Sequence, residues 1–381
     1  MTEVASGFLL DLAKRLVPRS DPAVIRAILE RSCGGQLDAY GPDGRRASTL
    51  TISGTPLEAS VSGGGGKISP ALRYATETAT QETRFGLRVA AQLHAIRDLV
   101  TWLPNAGETV ADMLQFFVAA LYPDPAQVST RYRSATWIGV VHHTAAPQHI
   151  ARLKVYGGLQ IVPGALDRLR DRWPAFDGLA SVPDENLIKP VAAAMEVDAH
   201  GSVTHKIYLR TRYNDIAVPM KLARYFGNPA WELLSEFARC GLDPALLHQH
   251  DFLVCCARSA GDPVFGLHLA ARRNDDFSEL VRELASRHHG GTHAVDALAL
   301  AAEAHGASWR YSAVGLGYSA DRGIDKLNVY GTPTWSVARV VRSVGTDARA
   351  PSTPAAPMPE SGTGHGTAEH PPRMLRRRSE R

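Results

Sequence analysis

Only four of the 381 residues are cysteine, and Cys33, Cys240, Cys255 and Cys256 form no CxxC pair and no metal-ligand spacing. Adjacent Cys255 and Cys256 would point to opposite faces of a strand, so the reading is four reduced, mostly buried thiols. No apolar run reaches the roughly 18 to 20 residues that cross a bilayer, and the N-terminus lacks a basic region followed by an apolar core and a cleavage site. A cytoplasmic protein with no membrane partner is expected. Forty-two Lys and Arg against 38 Asp and Glu leave a formal charge of +4, too balanced to announce nucleic-acid binding. The phosphate-loop, HExxH and GxSxG signatures are missing too. Asp275-Asp276 runs into Phe277-Ser278-Glu279, which lacks magnesium-chelating spacing and reads as a capping box. The pairs His142-His143 and His288-His289 alternate in direction on a strand or close a helix, so neither makes a metal set.

What is present is repetition. Four strand-loop-strand patterns recur: Ala135–His143 with Ala151–Gly157, Ala194–Ala199 with Thr204–Leu209, Phe252–Arg258 with Val264–Ala270, and Trp309–Tyr318 with Lys326–Tyr330. Their approximate equivalents Trp137, Met195, Phe252 and Tyr311 stand 58, 57 and 59 residues apart. Turn chemistry joins the later pairs at His200-Gly201-Ser202, Ser259–Pro263 and Asp321-Arg322-Gly323. Helical spacing fills the gaps, over Pro163–Trp173, Ala217–Phe226, Pro229–Cys240, Phe277–His289 and His293–His305. Thr332-Pro333 reads as the start of one more helix. An earlier copy lies in Ser48–Val61 and Ala71–Thr76, followed by helices around Glu82–Trp102 and Glu108–Leu121. Five hairpins predict an α+β fold: a ten-stranded antiparallel barrel of five αββα repeats, helices outside. Closure leaves no sheet edge.

The expected domain spans residues 1–346. Beyond it, residues 347–381 turn to Ala, Pro, Ser, Thr and Gly and end in Arg373, Arg376, Arg377 and Arg378, a composition that reads as a disordered tail. A nucleic-acid or membrane role for that basic end is the weaker alternative.

Alternate residues of the second strands carry the chemistry: Arg152, Lys154 and Tyr156; Thr204, Lys206, Tyr208 and Arg210; Gly266 and His268; Lys326, Asn328 and Tyr330. Aliphatic residues intervene. A solvated face would explain one such strand, but Lys-x-Tyr in two repeats and Asn-x-Tyr in a third favour a lined tunnel. Converging Lys and Arg suit the oxygens of a diphosphate. Tyrosine faces attract a passing cation while the ring bodies exclude water. Both together suit an allylic diphosphate whose leaving group is stabilised and whose allyl cation is shielded. Glu58, in Thr55-Pro56-Leu57-Glu58-Ala59-Ser60, is either a surface carboxylate or a buried acceptor for a ring N–H or O–H.

In order and spacing, Gly54–Ser60, Leu72-Arg73-Tyr74, Leu153-Lys154-Val155-Tyr156, His205–Leu209 and Lys326–Tyr330 before Gly331-Thr332-Pro333 form one set. The set resembles the aromatic prenyltransferases with the αββα barrel, and within them the dimethylallyltryptophan synthase-like group that includes bacterial indole prenyltransferases. The resemblance covers residues 48 to 332. It implies that Glu58 holds an indole N–H and that Arg73, Lys154 and Lys206 contact the diphosphate. Thr204 stands where that group has an Arg, so Arg210 or Arg152 would substitute, with Lys326 assigned to the same charge. Tyr156, Tyr208 and Tyr330 would form the tyrosine shield. His268, where a tyrosine is common, would join Tyr311 and Asn328 at the acceptor or in the shield. No metal or other cofactor is implied. The implied partners are an allylic diphosphate, dimethylallyl or geranyl, and an indole- or tryptophan-derived acceptor, with the protein a monomer or homodimer. The alternatives are a phenolic or polyketide acceptor, and a non-catalytic barrel binding a phosphorylated amphiphile.

Overall fold

The alternation along the strands becomes a closed sheet in a computed structural model that describes residues 2–17, 19–179, 186–259, 264–272 and 275–335. Most of the third hairpin turn, from Ala260 to Pro263, and all of 347–381 lie outside the described residues. The strands are β1 (Leu57–Gly64), β2 (Lys67–Ile68), β3 (Arg73–Thr76), β4 (Thr136–His142), β5 (Ile150–Gly158), β6 (Ile188–Asp198), β7 (Val203–Thr211), β8 (Asp251–Arg258), β9 (Val264–Ala270), β10 (Ala307–Ser319) and β11 (Gly323–Trp335). Each pairs antiparallel with its neighbour, and β11 returns to β1 with Tyr330 opposite Ser60. Ten strands therefore close the ring, while two-residue β2 only pairs with the end of β1.

The outward positions are aliphatic. Leu153, Val155, Ile207, Leu209, Leu267, Leu269, Leu327 and Val329 are all fully buried, beneath a coat of helices. These are α1 (Thr2–Leu16), α2 (Pro22–Cys33), α3 (Phe85–Val100), α4 (Glu108–Leu121), α5 (Ala165–Arg172), α6 (Val218–Phe226), α7 (Asn228–Arg239), α8 (Ser278–His288) and α9 (His293–Ala304). Each turns an apolar stripe inward, as α7 does with Leu233, Leu234 and Phe237. No described helix is long and apolar enough to cross a membrane. Local chemistry sets the ends: Asp21 accepts from the Ala23 N–H at 2.9 Å at the start of α2, and Gly34 closes that helix at φ 60°. In the β6–β7 turn, Asp198 accepts from the His200 and Ser202 N–H groups, and Gly201 takes φ 79°. Before α8, Asp276 accepts from the Ser278 N–H and hydroxyl, but the N-cap is Phe277 with no side-chain cap, so the expected capping box does not form.

Two expectations are corrected. Thr332-Pro333 does not start a helix: β11 runs on through Trp335, with Pro333 opposite Trp309. Pairing with β1 ends at Gly331, so one edge of β11 is free where the proline lacks its N–H. Ser48 to Pro56 is not strand but a loop, and it is pinned from below. Buried Glu77 pairs with Arg88 at 3.3 Å and accepts from the hydroxyls of Ser48 and Ser134 at 2.6 Å each. Arg88 also donates to the Ala47 carbonyl, which fixes the loop at the barrel mouth.

Candidate active site

Small residues on one strand make room for long ones on the next. Gly139 lies across from Lys154, Gly315 from His268 and Asn328, and Gly317 from Lys326. A Cβ at Gly315 would fall 1.9 Å from His268 Nδ1, and one at Gly317 3.0 Å from the Lys326 Cβ. The interior is consequently a lumen of about 870 Å³ instead of a filled core. Glu58, Arg73, Lys154, Tyr156, Lys206, Tyr208, Arg210, His268, Lys326, Asn328 and Tyr330 all line it. Cys255 lines it too, while Cys256 packs into the core outside.

At one end four cations converge: Arg73 from β3, Lys154 from β5, Lys206 from β7 and Lys326 from β11. Burial lowers Lys154 to about 7 and Lys326 to about 8, and lowers Arg73 as well; nearby like charges add to the effect and Glu196 opposes it. Arg73 donates to the Ser69 hydroxyl at 3.3 Å, and its buried Nε meets no hydrogen-bond partner among the described residues. Amid them stands a carboxylate that sequence reasoning missed. Glu196 on β6 lies opposite Lys154 in the ladder; its Oε2 forms an ion pair with Lys154 Nζ at 3.1 Å and accepts a hydrogen bond from Lys206 Nζ, and its Oε1 accepts one from Arg152 at 3.1 Å. Burial alone would raise Glu196, but the two lysines and then Arg152 hold it well below the usual carboxylate range. The available signal was parity, since Glu196 shares a face with Ala194 and Ala192, which lie opposite Lys206 and Tyr208.

Above the cations lies an aromatic belt. Tyr156 and Tyr208 sit 5.9 Å apart between ring centres, and His268 and Tyr330 6.0 Å. Burial keeps the three tyrosine hydroxyls protonated, and it lowers His268 to about 4, so the imidazole is neutral.

Beyond the belt, Glu58 of β1 accepts a hydrogen bond from the Ser312 hydroxyl, and burial raises its carboxyl to about 7. Trp137, Arg46, Arg133 and the loop from Ser48 to Ile52 complete this end; nothing in their spacing marks them in the sequence. Two expected residues are placed differently. Arg210 is not at the cation cluster: it lies four residues past Lys206, about 13 Å of extended strand, with Tyr208 between them, ion-paired to buried Asp251. Tyr311 does not enter the lumen. A bulge at Ser312 turns it outward, where its hydroxyl donates to the Val295 carbonyl of α9 at 3.3 Å, and Ser312 takes the inward place.

No protein-family model and no curated protein matches the chain. Solved structures do. The prenyltransferase PriB, in a ternary complex with L-tryptophan and dimethylallyl thiolodiphosphate, is 18% identical with a TM-score of 0.64, covering 88% of this chain and 99% of that one. The 5-dimethylallyltryptophan synthase from Streptomyces coelicolor is 19% identical, TM-score 0.61, covering 87% and 97%. The 6-dimethylallyltryptophan synthase from Micromonospora olivasterospora, in complex with DMASPP and Trp, is 15% identical, TM-score 0.65, covering 86% and 96%. Identity this low speaks to architecture alone: the chain shares with these indole prenyltransferases the fold of the closed, ten-stranded αββα barrel.

Proposed function

We propose that the barrel transfers a prenyl group, dimethylallyl or geranyl, from an allylic diphosphate to a carbon of an indole- or tryptophan-derived acceptor. The observation that carries this reading is the polarity of the lumen. Arg73, Lys154, Lys206 and Lys326 crowd one end, Glu58 stands past the other side of the belt, and Tyr156, Tyr208 and Tyr330 lie between. The bound ligands of PriB and of the Micromonospora enzyme are a dimethylallyl diphosphate analogue and tryptophan, which supports the same pairing here.

The chemistry follows from the placement. The diphosphate's negative charge restores full protonation to lysines that burial has weakened. As the allylic C–O bond breaks, its electron pair leaves with pyrophosphate, and the four cations stabilise the charge that develops there. The tyrosine faces hold the allyl cation and keep water from capturing it. Glu58 accepts the ring N–H of the acceptor, which enriches the ring in electrons, and a ring carbon attacks the cation. With neutralisation supplied by side chains, no metal is required in this reading.

The test is a mass-spectrometric screen of tryptophan, indole dipeptides and dihydroxynaphthalenes against dimethylallyl and geranyl diphosphates. An indole product heavier by one prenyl group is expected. Prenylation of the naphthalenes alone would move the acceptor to phenols, and donor binding without consumption across the panel would make the barrel a binding protein.

A further inference from the structure

A cluster of cations that waits for a trianion must stay charged while it is empty, and in a buried lumen it tends not to. Each like charge makes the next proton harder to hold, and burial adds to the cost. Lys154 of this chain feels Lys206, Lys326 and Arg73 in this way. Against them the cluster has one carboxylate. A single oxygen of Glu196 forms an ion pair with Lys154 at 3.1 Å and takes a hydrogen bond from Lys206, while its second oxygen takes one from Arg152 at 3.1 Å.

This arrangement is more than an ion pair between neighbouring strands. Each ammonium has three donors, and Glu196 occupies one on Lys206 while it pairs with Lys154 by charge, leaving the others for phosphate oxygens. The shared oxygen also draws the two Nζ atoms together from β5 and β7, one on either side of β6. We propose that Glu196 is a positioning residue that keeps Lys154 charged and holds Lys154 and Lys206 aimed into the lumen, and thereby sets the pH range over which the empty site can take a diphosphate.

The other groups facing this cluster do not supply that charge. Lys326 on β11 and Arg73 on β3 oppose it. The Tyr156, Tyr208 and Tyr330 hydroxyls and the Cys255 thiol stay protonated, and the His268 imidazole stays neutral, through the neutral range. Glu58 lies beyond the belt, on Ser312.

The inference rests on the diphosphate reading of the barrel, and inorganic pyrophosphate as the probe separates the two. Its affinity would be measured by calorimetry from pH 5.5 to 9.5 for the unaltered protein and for Glu196→Gln and Glu196→Asp. In the unaltered protein, binding should weaken as pH rises and Lys154 and Lys326 lose their protons. In Glu196→Gln, that midpoint should move down by at least about one pH unit, a tenfold loss of lysine proton affinity. Below the midpoint, affinity should be equal or tighter, because a competing negative charge is gone. Glu196→Asp should stay within a few tenths of a unit of the unaltered midpoint, which a merely structural role would not distinguish from Gln. An unmoved midpoint in Glu196→Gln overturns the inference and leaves the diphosphate reading standing; no pyrophosphate binding to the unaltered protein overturns both. If Glu196→Gln does not fold, proton uptake decides the matter in the unaltered protein. Uptake near zero at pH 6, rising toward one or more by pH 8.5, supports the inference, and uptake near one already at pH 6 overturns it.

Discussion

Ser312, the extra residue of a bulge in β10, donates a hydrogen bond to Glu58 on β1, two strands away and 254 residues earlier in the chain. The contact points the carboxylate into the lumen, and burial leaves it poised to change charge near neutrality, at about 7. Glu58→Gln should leave donor affinity almost intact and slow prenylation on the order of 10²-fold or more. Slow hydrolysis of the donor should persist, as a quench assay for free prenyl alcohol would detect. Equal loss of both activities would mean that Glu58 acts on the donor.

The same group gives a pH signature. The carboxylate is the form that accepts the ring proton, so kcat/KM should fall as pH drops through about 7. It should fall again at higher pH as the lysines, lowered to about 7 and 8 in the empty site, lose theirs. A pH profile of Glu58→Gln should lack the acid limb and keep the alkaline one.

Lys154→Ala or Lys206→Ala removes charge from the leaving group. Donor affinity should fall, and turnover should drop roughly 10²- to 10³-fold by analogy with loss of one preorganised donor. The defect should be the same for every acceptor, since none touches the diphosphate. Acceptor-dependent defects in steady-state kinetics would reverse the assignment of the two ends.

Turnover should survive EDTA. The comparison of rates with chelator, with magnesium and with neither is direct; a complete loss that magnesium restores would show that the protein's own cations do not suffice.

Much of the barrel was legible because its signals are local. Strand parity depends only on neighbouring residues, so Lys154, Tyr156, Lys206, Tyr208, Lys326 and Tyr330 could be assigned to one face from their alternation. Parity gives the face and not the height: Arg210 shares the face of Lys206 but sits past the belt, against Asp251. A bulge reverses parity without any mark in Arg310-Tyr311-Ser312-Ala313, and so Tyr311 was expected inside and Ser312 was not expected at all. Glu196 was hidden among alanines on a first strand, where nothing repeats from hairpin to hairpin. Its partners come from both flanking strands, a relation that only the register reveals.

Gly315→Ala would place a methyl carbon 1.9 Å from the His268 ring. The clash should cost roughly 1 to 3 kcal/mol and lower the melting temperature. Adding His268→Ala should recover most of that loss, and a double-mutant cycle would measure the coupling.

The glycines that face Lys154, His268 and Lys326 make the interior a matter of complementary halves. Its contour is written twice, once in what projects from a strand and once in what its neighbour withholds. Reshaping it for a bulkier acceptor or a longer donor is then a problem of reciprocal exchange. A side chain can migrate from one wall to the adjoining one only if glycine crosses in the opposite direction. Variants that alter one position at a time meet a collision or leave a void on the way, whereas paired exchanges across a single ladder step keep the volume and move the shape.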